Sequence, residues 1–305
     1  MSTMTLNAVP SKNLTLKGYR LTMKIQVIGI PSHAGALYEG TELAPQAIRD
    51  AGLLEALAQK GFTVTDLGDL LNGVELPRHN IGPVRNWPAP RIVWDEIAQR
   101  AEDIFHEEVF TILLGGDCSI EVGTFHAFQK VFGTNSHLLV LDAHIDTMKP
   151  SGENCIGAAG MGLWFLLNDD KMWWKEDSVN SDCISIIGSQ SNSETEEKLK
   201  ITPFEKLNAD SFLPIVQDHL NSITSDSIFV HLDVDVLHKS IMPAAYAPSQ
   251  VGFDLQKATK ILQIILADQR VKAIEITEFA ANKDSNGSCA EQIVNLLSLL
   301  TINRN

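Results

Sequence analysis

Long apolar runs are missing from this chain of 305 residues. No stretch has membrane-spanning length and no signal-peptide hydrophobic segment opens the chain, so no membrane partner is expected. Cysteine is scarce: Cys118, Cys155, Cys183 and Cys289 have neither a secretory context nor zinc-ribbon spacing, which argues for reduced thiols in a cytoplasmic protein. Positive charge is in deficit as well. With 24 Lys and Arg against 38 Asp and Glu, the formal net charge of -14 opposes binding to nucleic acid or an anionic membrane surface. Internal repeats and low-complexity tracts are absent, and the apolar content is ample for one sizeable core.

Against this background, three short polar segments stand where apolar runs end: Gly115-Gly116-Asp117-Cys118-Ser119, Asp142-Ala143-His144-Ile145-Asp146 and Asp233-Val234-Asp235. The runs before them, 110–114, 138–141 and 227–232, are short and partly β-branched, as expected of strands buried on both faces of a parallel sheet. In an open α/β sheet, ligands gather at the carboxyl ends of the strands, so three such ends can converge. Polar residues recur at every second position of the middle segment, and an extended backbone sends Asp142, His144 and Asp146 to one face. Asp233 and Asp235 have the same spacing. Taken singly, an Asp-x-Asp is usually a loop-start pair and a Cys a small buried residue. Together the segments point to a two-metal site. Carboxylates with one His and one Cys suit divalent first-row ions such as Mn²⁺ better than a closed structural zinc, and two ions roughly 3.5–4 Å apart can share a water whose pKa falls toward about 7.

The rest of the chain fits an α/β layer architecture with a mainly parallel sheet. Helical periodicity appears in 44–59, 92–106, 119–131, 255–267 and 288–300, alternating with strands. Residues 1–22 are polar and irregular and read as a flexible N-terminal extension, with 23–305 a single catalytic domain. The glycines of 147–162 mark an active-site loop. Trp164, Trp173 and Trp174 either flank its mouth or pack in the core, the second being favoured. His33, His79, His106, His126, His137 and His219 occur singly and carry no site. His231, two residues before Asp233, and His238, beyond Asp235, are placed to relay a proton or to orient a ligating carboxylate.

From Met23 to its end, the chain resembles the ureohydrolase family, the arginases, agmatinases and their relatives. Besides the three motifs, the resemblance rests on the opening strand Lys24–Pro31, on Gly40 and Ala44-Pro45, and on the late strand ending Glu275-Ile276-Thr277-Glu278. It implies a three-layer α/β/α arginase-like fold and two Mn²⁺ ions. One ion would be held by Cys118, Asp142, Asp146 and Asp233, the other by Asp142, His144, Asp233 and Asp235. Asp142 and Asp233 would bridge. Glu278 would receive the substrate guanidinium.

Departures from the family pattern bear on the substrate. Cys118 stands where the family has His, and the place of the family's acid/base His is taken by Ala159. Positions that grip the α-amino and α-carboxylate groups of free arginine fall on Met148, Cys155 and Gly157, which offer no comparable side-chain hydrogen bonding. A coordinated thiolate adds negative charge, which weakens the metal as a Lewis acid and favours a cationic guanidinium. Asp146 is then the candidate proton carrier for the departing amine. The combination resembles hydroxyarginine-cleaving amidinohydrolases with a Cys ligand, and lost α-group contacts equally suit the peptide arginases. The expected reaction is hydrolysis of an arginine derivative, peptidyl arginine to ornithine plus urea or Nω-hydroxyarginine to ornithine plus hydroxyurea. The rivals are an agmatinase and a metal-poor pseudoenzyme that binds a guanidinium ligand or a protein partner. A homo-oligomer stays open.

Overall fold

A computed structural model describes residues 23–190, 198–209 and 211–300; the extension expected over 1–22 lies outside the described residues. The strands are β1 (Lys24–Gly29), β2 (Thr63–Asp69), β3 (Val109–Leu114), β4 (Ser136–Leu141), β5 (Ile184–Ile187), β6 (Lys200–Thr202), β7 (Ser227–Asp233) and β8 (Val271–Thr277). They form one sheet in the order β2-β1-β3-β8-β7-β4-β5-β6, and every pairing is parallel. The order of the central strands places the ends of β3, β8, β7 and β4 side by side. Motifs far apart in sequence thus arrive at one edge.

Helices cover both faces. They are α1 (Ala44–Asp50), α2 (Leu53–Gln59), α3 (Ala89–Gln99), α4 (Ala101–Ile104), α5 (Glu121–Phe132), α6 (Gly162–Leu167), α7 (Phe204–Leu207), α8 (Phe212–Asn221), α9 (Leu255–Ala267) and α10 (Ser288–Leu297). Alternate residues of each central strand feed two cores. Ile112, Val230 and Ile274 pack with α1, α2, α8, α9 and α10 on one side, while Leu113, Phe229 and Ala273 pack with α3, α4, α5 and α6 on the other. Full burial of such side chains stabilises by roughly 1.5–3 kcal/mol each, which is why strands apolar on both faces hold the centre of the sheet. None of the described helices is long and apolar enough to cross a membrane.

The sequence pattern 44–59 resolves into two helices rather than one, because Gly52 adopts φ 87° and starts α2 anew. The pattern 92–106 likewise divides at Arg100, whose ψ of 19° departs from helical geometry between α3 and α4. Trp87, Trp94, Trp173 and Trp174 meet Phe165 or one another edge-on or stacked, so the tryptophans form a packed aromatic cluster.

Candidate metal centre

Each of the three motifs contains an aspartate that turns the chain back on itself. Asp117 Oδ1 accepts from the Ser119 backbone N–H at 3.1 Å, Asp142 Oδ1 from His144 at 2.6 Å, and Asp233 Oδ1 from Asp235 at 2.7 Å. These Asx turns stop β3, β4 and β7 and curl the next residues over the sheet edge. The reason Asp142 and His144, or Asp233 and Asp235, share a face is therefore the turn, not a continued extended strand. Asp146 lies beyond the turn at φ 49°, an unusual conformation for a non-glycine residue, and its carbonyl accepts the N–H groups of Leu163 and Trp164.

The donors fall into two neighbouring groups. Cys118 Sγ lies 3.1 Å from Asp233 Oδ2. His144 Nδ1 lies 3.0 Å from Asp235 Oδ2 and 3.5 Å from Asp142 Oδ1. Donor atoms of Asp142, His144 and Asp235 are all within 4.8 Å of one another, and so are those of Cys118, Asp142 and His231. Asp142 belongs to both groups. Gly116 makes this approach feasible, since a Cβ there would stand 1.9 Å from the Ser32 carbonyl oxygen.

Electrostatics supports a cation at this point. Burial and repulsion from neighbouring carboxylates, Asp142 among them for both, push Asp146 and Asp233 well above the usual carboxylate range, and burial with repulsion from Asp142 raises Asp235 to about 6. Burial and the charges of Asp233 and Glu278 push the Cys118 thiol upward too. Hydrogen bonds to Asp142 and Asp235 raise His144 to about 11. None of these acids forms an ion pair with lysine or arginine among the described residues. A cluster of buried like charges is costly, and divalent ions bound by these oxygen, nitrogen and sulfur donors would offset that cost. The donor set fits such ions.

Glu278 follows β8 at φ 61°, with its backbone N–H donating to the Gly116 carbonyl and its Oε1 accepting from the Cys118 N–H at 2.7 Å. Burial raises its carboxyl to about 8. Of five non-glycine residues with positive φ among those described, Asp146 and Glu278 lie in the motifs, where rigid surroundings hold a sparsely populated conformation. Beside the donors opens a cleft of about 520 Å³ lined by Ala143, His144, Ile145, Asp146, Thr147, Met148 and Gln190. Met148 is 51% exposed. Cys155 and Gly157 are not in that wall. The Cys155 carbonyl accepts from Arg85 Nη2 at 3.0 Å, and a Cβ on Gly157 would stand 2.1 Å from the Gly35 carbonyl oxygen.

Sequence reasoning passed over Glu121 and the role of Glu275. Both are buried within hydrogen-bonding or ion-pair range of His231, at 3.6 and 2.7 Å. The missed signal was an acid, Glu275, between two isoleucines in the buried part of β8. His238 points elsewhere, its Nδ1 2.8 Å from Ser240 Oγ. His137 and His219 are buried and bonded to Ser185 Oγ, as expected of core histidines.

A parallel α/β sheet whose carboxylate-rich edge could hold divalent ions is an arrangement suited to metal-dependent hydrolysis. A sequence profile of the Arginase family matches residues 23–302, and the chain belongs to that family. It is a hydrolase acting on carbon–nitrogen bonds of linear amidines. Arginase of Bacillus subtilis (strain 168) is 26% identical over 292 residues, covering 90% of this chain and 97% of that protein. The crystal structure of arginase from Bacillus cereus superposes with a TM-score of 0.79 at 24% identity, over 92% of this chain and 98% of the other. Formimidoylglutamase from Bacillus subtilis, at 18% identity, has a TM-score of 0.72 and covers 96% and 94% of the two chains.

Proposed function

We propose that this chain is a binuclear manganese amidinohydrolase that hydrolyses the guanidino group of an arginine derivative, within a single catalytic domain spanning 23–305. The observation that carries the reading is the convergence of Cys118, Asp142, His144 and Asp235 beside Glu278 at one sheet edge. Cys118, Asp142, Asp146 and Asp233 would hold one ion, and Asp142, His144, Asp233 and Asp235 the other. Bound divalent ions would supply Lewis-acid activation of water and compensation of developing negative charge.

The chain's own residues do the rest. Glu278, preset by the Cys118 N–H, binds the planar guanidinium through charge-assisted hydrogen bonds and fixes its carbon over the donors. Asp146 takes the proton released by the attacking water and returns it to the departing amine as the carbon–nitrogen bond breaks. Water thus divides between a urea and an ornithine-type amine. Ala159 at the family's shuttle position leaves Asp146 this task alone.

Met148 forms an exposed apolar wall of the cleft, and Gln190 of the same wall donates to the carbonyl of the exposed Val251. Such surroundings suit a peptidyl arginine rather than the charged α-groups of free arginine; Nω-hydroxyarginine carries those same α-groups and is favoured instead by its less basic guanidine. Metal analysis with urea-release assays on arginine, Nω-hydroxyarginine, agmatine and an arginine-containing peptide tests the reading. We expect two metals and a higher kcat/KM for the peptide or hydroxyarginine. Preference for free arginine by about tenfold or more overturns the substrate reading, because remote binding energy would then be present after all. Little bound metal and no turnover of any guanidine would favour the metal-poor pseudoenzyme that binds a guanidinium ligand or a protein partner.

A further inference from the structure

We propose that His231 is itself a metal ligand: its Nε2 joins Cys118 and Asp142 around the first ion, returning the imidazole that the Gly-Gly-Asp-Cys-Ser motif lacks. The inference rests on the two-metal reading above and adds to it a donor from the interior of β7.

The sheet register supplies the geometry. His231 lies opposite Val140 of β4 and Glu275 of β8, one step deeper than Asp233 and Thr277, which pair at the sheet edge. One step deeper again, Leu138, Phe229 and Ala273 are apolar and packed. His231 and Glu275 are thus a polar layer inserted between the metal donors and the core, on the face covered by α5. Both are fully buried. His231 Nδ1 is engaged by Glu275 Oε1 at 2.7 Å, with Glu121 Oε2 at 3.6 Å. That leaves Nε2, which lies 3.2 Å from Thr277 Oγ1; the same hydroxyl is 3.3 Å from Cys118 Sγ. A ring nitrogen of His231, Cys118 Sγ and an Asp142 oxygen lie within 4.8 Å of one another.

This is how a ligating histidine is normally held: one ring nitrogen donates to a carboxylate, which fixes the tautomer and aims the other nitrogen at the metal. A purely structural role accounts for the layer poorly. Two glutamates and an imidazole replace packing that Leu, Phe and Ala supply one step below, and Glu121 Oε1 finds no hydrogen-bond partner. An ion drawing electron density from Nε2 makes the buried carboxylates useful as partners of a more acidic N–H. The short Cys118 side chain after β3 and the long imidazole from β7, two strands away, converge on the Thr277 hydroxyl of the strand between them.

The experiment uses metal-free protein reloaded with Co²⁺ or Mn²⁺. In the Co²⁺ form of the wild type, the Nδ1–H of a coordinated His231 should give a hyperfine-shifted proton signal that exchanges slowly because the ring is buried, unlike the exposed His144. His231→Asn should abolish that signal, weaken one of two ion-binding steps by more than about 100-fold, and leave the other step in place, whereas Glu275→Gln should weaken it by about 10–100-fold. Absence of a slowly exchanging shifted signal in wild type holding two ions overturns the proposal, and that measurement does not depend on any variant folding. So does a folded His231→Asn protein that binds both ions with wild-type affinity. Wild type that binds no stoichiometric metal removes the two-metal reading and this inference with it, a result distinct from either.

Discussion

The Cys118 backbone N–H donates to Glu278 Oε1 at 2.7 Å, joining residues 160 positions apart. The contact links the motif after β3 to the residue that follows β8, strands that are neighbours in the sheet. One peptide group therefore orients the carboxylate while the side chain of the same residue faces Asp233. A change at position 118 that moves the backbone would reach both the metal donors and the guanidinium-binding acid.

Glu278→Gln keeps the shape and the hydrogen bond from Cys118 but removes the charge that matches a guanidinium. Metal content should stay near two per chain while kcat/KM falls about 10–100-fold, the value of a charge-assisted hydrogen bond of about 1.5–3 kcal/mol. Unchanged kinetics would take Glu278 out of the site.

Cys118→Ala and Cys118→His should part company. The first removes a donor, so elemental analysis should find most of one metal equivalent lost together with most activity. The second restores a neutral nitrogen donor and should keep both metals, with activity persisting to lower pH because the added negative charge is gone. Two tightly bound metals and full activity in the Ala variant would reduce Cys118 to a packing residue.

Metal binding should expel protons. In the metal-free protein, burial and repulsion from neighbouring carboxylates hold Asp146 and Asp233 well above the usual carboxylate range, and burial raises the Cys118 thiol. The Cys118 thiol, protonated at neutral pH even at its ordinary value, and the raised carboxyls then hold protons more tightly than free groups do, and a bound cation displaces them. Calorimetric titration with Mn²⁺ in two buffers of different ionisation enthalpy should therefore report net proton release, and the Kd should rise as the pH is lowered from about 8 to about 6. Equal heats in both buffers would contradict this.

His137 and His219 predict a separate acid sensitivity. Both bond to Ser185 Oγ, and burial lowers them from 6.5 to about 4 and about 3. The unfolded chain takes up protons below about pH 6.5 that the native state refuses, so their contribution is intact above that pH and declines as the pH falls toward 4 and 3. A tenfold difference in proton affinity between the two states corresponds to about 1.4 kcal/mol. The urea midpoint should drop between pH 7 and pH 5, and less steeply in a His137→Asn/His219→Gln protein compared at the same metal loading; parallel slopes would exclude the pair as the cause.

Apolar period and motif position were legible in the chain itself. Phe110–Leu114, Leu138–Leu141 and Ser227–Leu232 read as strands because parallel strands buried on both faces need continuous apolar sequence, and β3, β4 and β7 lie there. Cys118, Asp142, His144, Asp233 and Asp235 stand out for the same reason: polar residues that abruptly end such runs mark the sheet edge. Helix breaks at Gly52 and Arg100 were not legible, because apolar periodicity continues through a local change of φ or ψ.

What the sequence determined by itself was which residues could bear metal chemistry and that they sat at strand ends, since both follow from local composition and period. Which of them meet was decided only by the strand order β3-β8-β7-β4, which brings Cys118 against Asp233 and Asp142 against Asp235. The turn of each motif, the left-handed φ of Asp146 and Glu278, and the burial of His231 between Glu275 and Thr277 are likewise tertiary facts. A histidine has the same composition on a surface or in a core; neighbours from other strands alone fix which nitrogen is held and where the other points.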